Sequence, residues 1–183
     1  MTKNQLRQKF TNLKSNNQSL AIKNNFFTNF DLNKIKKIHI FLPMPQEINT
    51  WLIIQEIFQN YPNISIITSK SNLQNYTMKS YYLDENTKLA KNRWNISEPI
   101  NARKCIDKEI DMILLPLLAF DQKGFRVGYG KGFYDRFLLK CHQDIIKIGL
   151  SKFEPVNKID DINEHDIKMD FCVMTEQIWT FNK

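Results

Sequence analysis

Glycine is scarce in this chain, five in 183 residues, yet four of the five (Gly124, Gly128, Gly130 and Gly132) fall within nine residues. They lie in the run LLPLLAFDQKGFRVGYGKGFYDRFL, after residues 112–115 (MILL), which read as a buried strand, and before residues 132–141, which are helical in pattern. A glycine-rich loop between a strand and a helix is where α/β proteins bind anions. Glycine accepts positive φ and lets backbone approach a phosphate closely, and the first helical turn offers unpaired N–H groups. Arg126 and Lys131 add positive charge for phosphate oxygens. Asp135, just inside the helix, puts a carboxylate where Mg2+ is wanted beside a phosphate cradle. The plainer alternative is a tight packing corner. Neither common phosphate motif fits: a loop of the G-x-x-x-x-G-K-[ST] type starting at Gly124 would need glycine where Tyr129 stands, and a dinucleotide fingerprint starting at Gly128 would need glycine in place of Phe133.

The rest of the chain alternates strand and helix patterns. Residues 3–14 place Leu6, Phe10 and Leu13 at helical spacing, and residues 18–30 do the same around Leu20, Ile22, Phe26, Phe27 and Phe30. Residues 38–42 (IHIFL) read as a strand stopped by Pro43 and Pro45, and residues 50–60 as a helix with Asn49 its N-cap. Strands are expected at 64–68, 112–115, 145–150 and 171–175, with a weaker one at 78–83. This order predicts a single α/β domain over 1–183, with a central, largely parallel sheet flanked by helices. No apolar run reaches the roughly 18 to 20 residues of a membrane span. The first residues lack the apolar stretch of a secretory signal, and three cysteines give no disulfide framework, so the cytosol is the expected compartment. The net charge of +7 sits entirely in residues 1–37. A solvated basic face and a nucleic-acid footprint both account for that; only five of the 26 basic residues are arginine, which favours the solvated face.

The glycine segment resembles the signature of the 5-formyltetrahydrofolate cyclo-ligase family, close to F-D-x-x-G-x-R-L-G-x-G-x-G-[YF]-Y-D-R-x-L. Phe120, Asp121, Gly124, Arg126, Gly128, Gly130, Gly132, Phe133, Tyr134 and Asp135 match it, and Val127 replaces the usual leucine. Further similarities follow in order: Lys3 and Arg7, FLPMPQEINT at 41–50, WNISEP at 94–99, the strand before Pro116, and HDIKMDFCVMTE at 165–176. The family commonly has a glutamine after the position of Phe153, where this chain runs FEPVNKID.

The resemblance implies an ATP- and Mg2+-dependent ligase converting 5-formyltetrahydrofolate to 5,10-methenyltetrahydrofolate. It implies Arg126, Lys131 and Tyr134 at the reacting groups, and nucleotide contacts from Lys3, Arg7, Arg126, Gly128, Gly130, Lys131, Gly132 and Tyr134. Leu42, Glu47, Trp94, Tyr129 and Phe133 would hold the folate, and Asp135 with Asp166 the metal. Without the resemblance, Lys3 and Arg7 read as surface charges, Glu47 as a helix-dipole partner, and Trp94 as a core lid. A monomer acting on a small molecule, with neither nucleic acid nor membrane as partner, is the expectation. The alternatives are a protein of the same fold acting on another substrate, and a basic nucleic-acid-binding module.

Overall fold

The computed structural model describes residues 1–11, 13 and 18–181. The helices are α1 (Lys3–Thr11), α2 (Ser19–Asn29), α3 (Trp51–Asn60) and α4 (Phe133–Leu138). Residues 12 and 14, part of the first expected helix, lie outside the described residues, and Leu13, expected on its apolar face, is exposed. The strands are β1 (Lys37–His39), β2 (Ser65–Asn72), β3 (Thr77–Leu83), β4 (Leu89–Lys91), β5 (Ser97–Pro99), β6 (Met112–Leu115), β7 (Ala119–Phe120), β8 (Arg126–Val127), β9 (Ile146–Leu150), β10 (Phe171–Val173) and β11 (Ile178–Thr180).

Seven strands form the central sheet in the order β11-β10-β9-β6-β1-β2-β3. The five inner strands run parallel, and β3 and β11 close the two edges antiparallel. The expected sheet is therefore present, with antiparallel edges that the strand pattern did not reveal. Alternation along β6 shows why a continuous apolar run suits a sheet covered on both faces. Met112 and Leu114 pack with Ile22, Phe26, Ile53 and Ile57 of α2 and α3, whereas Ile113 and Leu115 pack with Phe137 and Leu138 of α4. A third apolar group joins Leu6 and Phe10 of α1 to Leu118, Ala119, Val127 and Ile159, so α1 docks on the β7/β8 ribbon rather than on the main sheet.

That ribbon corrects one expectation. The glycines do not form one continuous loop after β6, because β7 and β8 intervene. Gly124 closes their turn at φ +88°, and a Cβ there would stand 2.6 Å from Cγ of Phe181. Only Gly128, Gly130 and Gly132 lead into α4, with Gly132 left-handed at its N-terminus. Gly124→Ala is therefore expected to cost about 2 kcal/mol through left-handed strain and overpacking, with little effect on ligand affinity. Denaturant melts of the variant check this.

Candidate active site

Strand β1 pairs with β2 on one side and β6 on the other, so the chain reverses direction of travel between β1 and β6. Connections leaving two neighbouring strands on opposite sides open a crevice at their carboxyl ends. Here the crevice is a cavity of about 960 Å3, bounded by Phe41 and Leu42 after β1 and by Pro116 after β6. Every site residue expected from the sequence lines it: Lys3, Arg7, Leu42, Glu47, Trp94, Arg126, Gly128, Tyr129, Gly130, Lys131, Gly132, Phe133, Tyr134, Asp135 and Asp166.

One part of the wall is charged. One turn apart on α1, Lys3 and Arg7 share a face. Lys3 Nζ meets Asp166 Oδ2 at 2.5 Å, and its backbone N–H donates to Asp161 Oδ1 at 2.6 Å. Arg7 donates through Nε to the Gly128 carbonyl at 2.9 Å, and its guanidinium covers Gly130, where a Cβ would stand 3.0 Å from Cζ. Gly130 thus serves close approach as well as its φ of +93°. The surface-charge reading of these two cations does not hold; both are engaged with the loop and its neighbours.

Arg126 sits on β8, not free in the glycine loop, and its side chain is 5% exposed. It donates to Asp135 Oδ1 at 2.8 Å and to the Ile167 carbonyl at 2.6 Å, while the Ile167 N–H donates to the same Asp135 oxygen at 3.3 Å. Lys131 is exposed, with Nζ 5.4 Å over the Tyr76 ring. Arg136, which the sequence did not mark, donates to the Tyr76 carbonyl at 3.0 Å and to the Lys131 carbonyl, and so ties the loop to the β2–β3 hairpin.

Another part is apolar and aromatic. Phe133 lies edge-on to Trp94 and to Tyr76, with centroids 6.0 and 5.8 Å apart, and Trp94 keeps 38% of its surface exposed. Glu47 accepts the Met44 N–H through Oε2 at 2.8 Å, and the Tyr129 hydroxyl donates to it. Burial raises its carboxyl to about 7, against the lowering effect of these hydrogen bonds and of Lys152. Burial likewise pushes the phenols of Tyr129 and Tyr134 up, and the nearby Glu47 charge adds to it. Both are therefore neutral donors at physiological pH.

Sequence reading missed Thr68, Ser69, Ser71 and Met78, which form a further wall of the cavity. The expected strand stopped at residue 68 because SKSN looks like a loop; in the fold β2 continues to Asn72 against β3. The available signal was alternation, with Ser69 and Ser71 flanking an outward Lys70.

The two carboxylates offer a consistent donor set for a hard cation. Asp135 takes its protein hydrogen bonds on Oδ1 and Asp166 takes its own on Oδ2, which leaves the other oxygen of each for a ligand. Among the described residues no group of three or more His, Cys, Asp or Glu stands ready to hold a metal, so the remaining ligands would come from phosphate and water.

A cavity at the switch point of a mostly parallel sheet, with a cationic glycine segment on one wall and aromatic groups on another, defines an α/β protein built to take charged small molecules. The chain belongs to the 5-formyltetrahydrofolate cyclo-ligase family, whose model matches residues 3–176. A Mus musculus protein named 5-formyltetrahydrofolate cyclo-ligase is 30% identical over 166 residues, which cover 84% of this chain and 80% of that protein. The Haemophilus influenzae protein of the same name is 28% identical over 149 residues, covering 80% and 79%. Among solved structures, the 5,10-methenyltetrahydrofolate synthetase of Aquifex aeolicus shares the fold with a TM-score of 0.83 at 24% identity, over 100% of this chain and 94% of that one.

Proposed function

We propose that this chain catalyses the ATP-dependent cyclisation of 5-formyltetrahydrofolate to 5,10-methenyltetrahydrofolate, releasing ADP and phosphate, with Mg2+ bound between Asp135 and Asp166. The observation that carries the reading is the pairing, in one cavity, of a cation-lined glycine segment with a half-buried acidic acceptor, Glu47, held among aromatic side chains.

The formyl oxygen is a poor leaving group. Phosphoryl transfer from ATP to it makes a good one; N10 then attacks the formyl carbon, loses its proton, and phosphate departs with that oxygen. No covalent nucleophile on the enzyme is needed, so catalysis consists of alignment and charge neutralisation. Lys3, Arg7 and Lys131 supply positive charge for the phosphates, the Gly128–Gly132 backbone supplies donors, and Arg126 orients Asp135. Leu42, Trp94, Tyr129 and Phe133 enclose the ring system, Glu47 accepts from its donor edge, and Tyr134 offers a neutral hydroxyl to the reacting groups.

The basic charge of residues 1–37 supports a small-molecule role over nucleic-acid binding, because half of its eight cations are engaged within the fold. Lys3, Lys23 and Lys37 pair with Asp166, Glu56 and Glu109, and Arg7 binds the loop. No helix among the described residues is long and apolar enough to cross a membrane. Three buried, unpaired cysteines fit a reducing compartment, and we place the enzyme in the cytosol as a monomer.

The direct test is the near-ultraviolet absorbance of methenyltetrahydrofolate on mixing the protein with 5-formyltetrahydrofolate, ATP and Mg2+. No rise with 5-formyltetrahydrofolate, ATP and Mg2+ all present in excess would refute the reading. For the metal, Asp135→Asn and Asp166→Asn are each expected to lower activity about tenfold or more at limiting Mg2+ and to recover in part at high Mg2+. Wild-type Mg2+ dependence in both variants would remove the two-carboxylate site.

A further inference from the structure

The short ribbon β4/β5 stands apart from the central sheet, yet its tip carries Trp94, Ile96 and Ser97 to the cavity wall. Two strands of three residues are marginal in water by themselves, so the tip needs an anchor in the rest of the fold. The indole of Trp94 supplies little of it. Its ring is 38% exposed, with Phe133 edge-on at 6.0 Å and the exposed Arg93 guanidinium 5.5 Å over it. The backbone of the turn therefore decides where the indole stands.

That backbone is held from inside by Asn92. Its Oδ1 accepts the Trp94 N–H at 2.9 Å and the Ile96 N–H at 3.2 Å. Its main-chain N–H donates to the Ile96 carbonyl, and its carbonyl accepts from Asn95, which is left-handed at φ +62°. Nδ2 of the same side chain donates to Glu98 Oε1 at 2.9 Å. That oxygen also accepts the Ser71 N–H at 2.9 Å. β1 ends at the buried His39, paired with Ile67, so β2 reaches Ser71 past the end of its parallel neighbour, and a side chain supplies the acceptor there. Glu98 is 6% exposed, and among the described residues its hydrogen-bond partners are neutral N–H donors, not a cation. A carboxyl buried in this way is costly, and an aliphatic side chain would pack there at less cost. What the acid adds is a junction: one oxygen joins the central sheet to the ribbon, and Asn92 carries the connection on to Trp94.

We infer that Asn92 and Glu98 are positioning residues of the folate pocket, a hydrogen-bond chain from β2 that holds the Trp94 turn against the cavity. The inference rests on the proposed folate substrate and deepens it by naming what sets the aromatic wall in place.

The experiment measures equilibrium binding of 5-formyltetrahydrofolate and, separately, of ATP to the intact protein. Asn92→Ala is expected to weaken folate binding about fivefold and to leave ATP binding unchanged. Asn92→Ser, whose hydroxyl can accept the Trp94 N–H and donate to Glu98, is expected to recover most of the loss. Glu98→Ala is expected to lose as much as Asn92→Ala, and Glu98→Gln, which keeps the accepting oxygen, to recover most of it. In a Trp94→Ala background Asn92→Ala is expected to cost nothing further, because it acts through the indole. Fluorine-19 NMR of ligand-free protein labelled with 5-fluorotryptophan gives one resonance for each of the three tryptophans. Asn92→Ala is expected to move that of Trp94, identified by its absence in Trp94→Phe, and to leave those of Trp51 and Trp179 in place. This readout stands even if Glu98→Ala fails to fold. If wild-type protein does not bind 5-formyltetrahydrofolate, the substrate reading itself fails, and the NMR result alone decides the positioning role. If wild type binds it and Asn92→Ala binds equally well, the assignment to Asn92 and Glu98 is overturned. The same follows if ATP binding falls in step, if the loss persists undiminished without Trp94, or if the Trp94 resonance does not move.

Discussion

Glu47→Gln is expected to yield a ligand-free protein that is more stable than the wild type above neutral pH and that binds folate poorly. The folded chain holds the Glu47 carboxyl at about 7 against an ordinary 4.5, so between those values the native state binds more protons than the unfolded state. Stability attributable to this group is then present at low pH and is lost as pH rises through about 7. Glutamine keeps the acceptor for the Met44 N–H and carries no charge to bury. The gain is on the order of 1 to 2 kcal/mol, after discounting for the residual exposure of the side chain. Thermal melts at about pH 8 should show it, and melts at about pH 5 should not. Folate affinity should fall about thirtyfold, on the order of 2 kcal/mol, because a charged acceptor becomes a neutral one. Wild-type affinity should also weaken on acidification, as protonation removes the same charge, whereas the variant should be flat. Equal melting curves at both pH values together with unchanged folate affinity would remove Glu47 from the site.

Arg126→Ala should be the most damaging single change. The guanidinium is almost fully enclosed, and its loss leaves Asp135 and the Ile167 carbonyl without their strongest donor. Breaking such a pair costs about 3 to 5 kcal/mol, which a urea midpoint will register. Turnover should vanish as well, since Asp135 loses the contact that orients it. Lys131→Ala is the contrast: an exposed lysine, whose removal should raise the KM for ATP with little change in the midpoint. Comparable midpoints for the two variants would mean that the Arg126–Asp135 pair does not hold the start of α4 in place.

The central sheet was legible because its strands are short β-branched runs, and β6 in particular reads as four apolar residues in a row. One edge strand and the far end of an inner one were less so. β11 is only half-buried and β2 ends in polar residues, so neither carries the apolar signal that periodicity detects. Within the site, residues marked by unusual spacing, the glycines with Arg126 and Asp135, were found together. Ser69 and Asp161 reach the cavity from segments whose local sequence is ordinary, and only strand pairing and loop return bring them there. His39 was visible as a residue but not as a buried one, because an alternating strand gives no sign that both its faces are covered.

The docking of α1 sets when the site can come into existence. The Lys3–Asp166 contact joins positions 163 residues apart, and Leu6 and Phe10 rest on a ribbon made by residues 119–127. On the ribosome the first helix therefore waits on the order of ten seconds, at typical elongation rates, before any of its native neighbours has been synthesised. An isolated nine-residue helix is marginal in water, so its two cations stay unordered through that interval. Three strands of the central sheet, β9, β10 and β11, are also made after that ribbon, so the sheet and the phosphate end are completed together, when the two ends of the chain meet. Unfinished chains thus carry neither a closed sheet nor a competent nucleotide site.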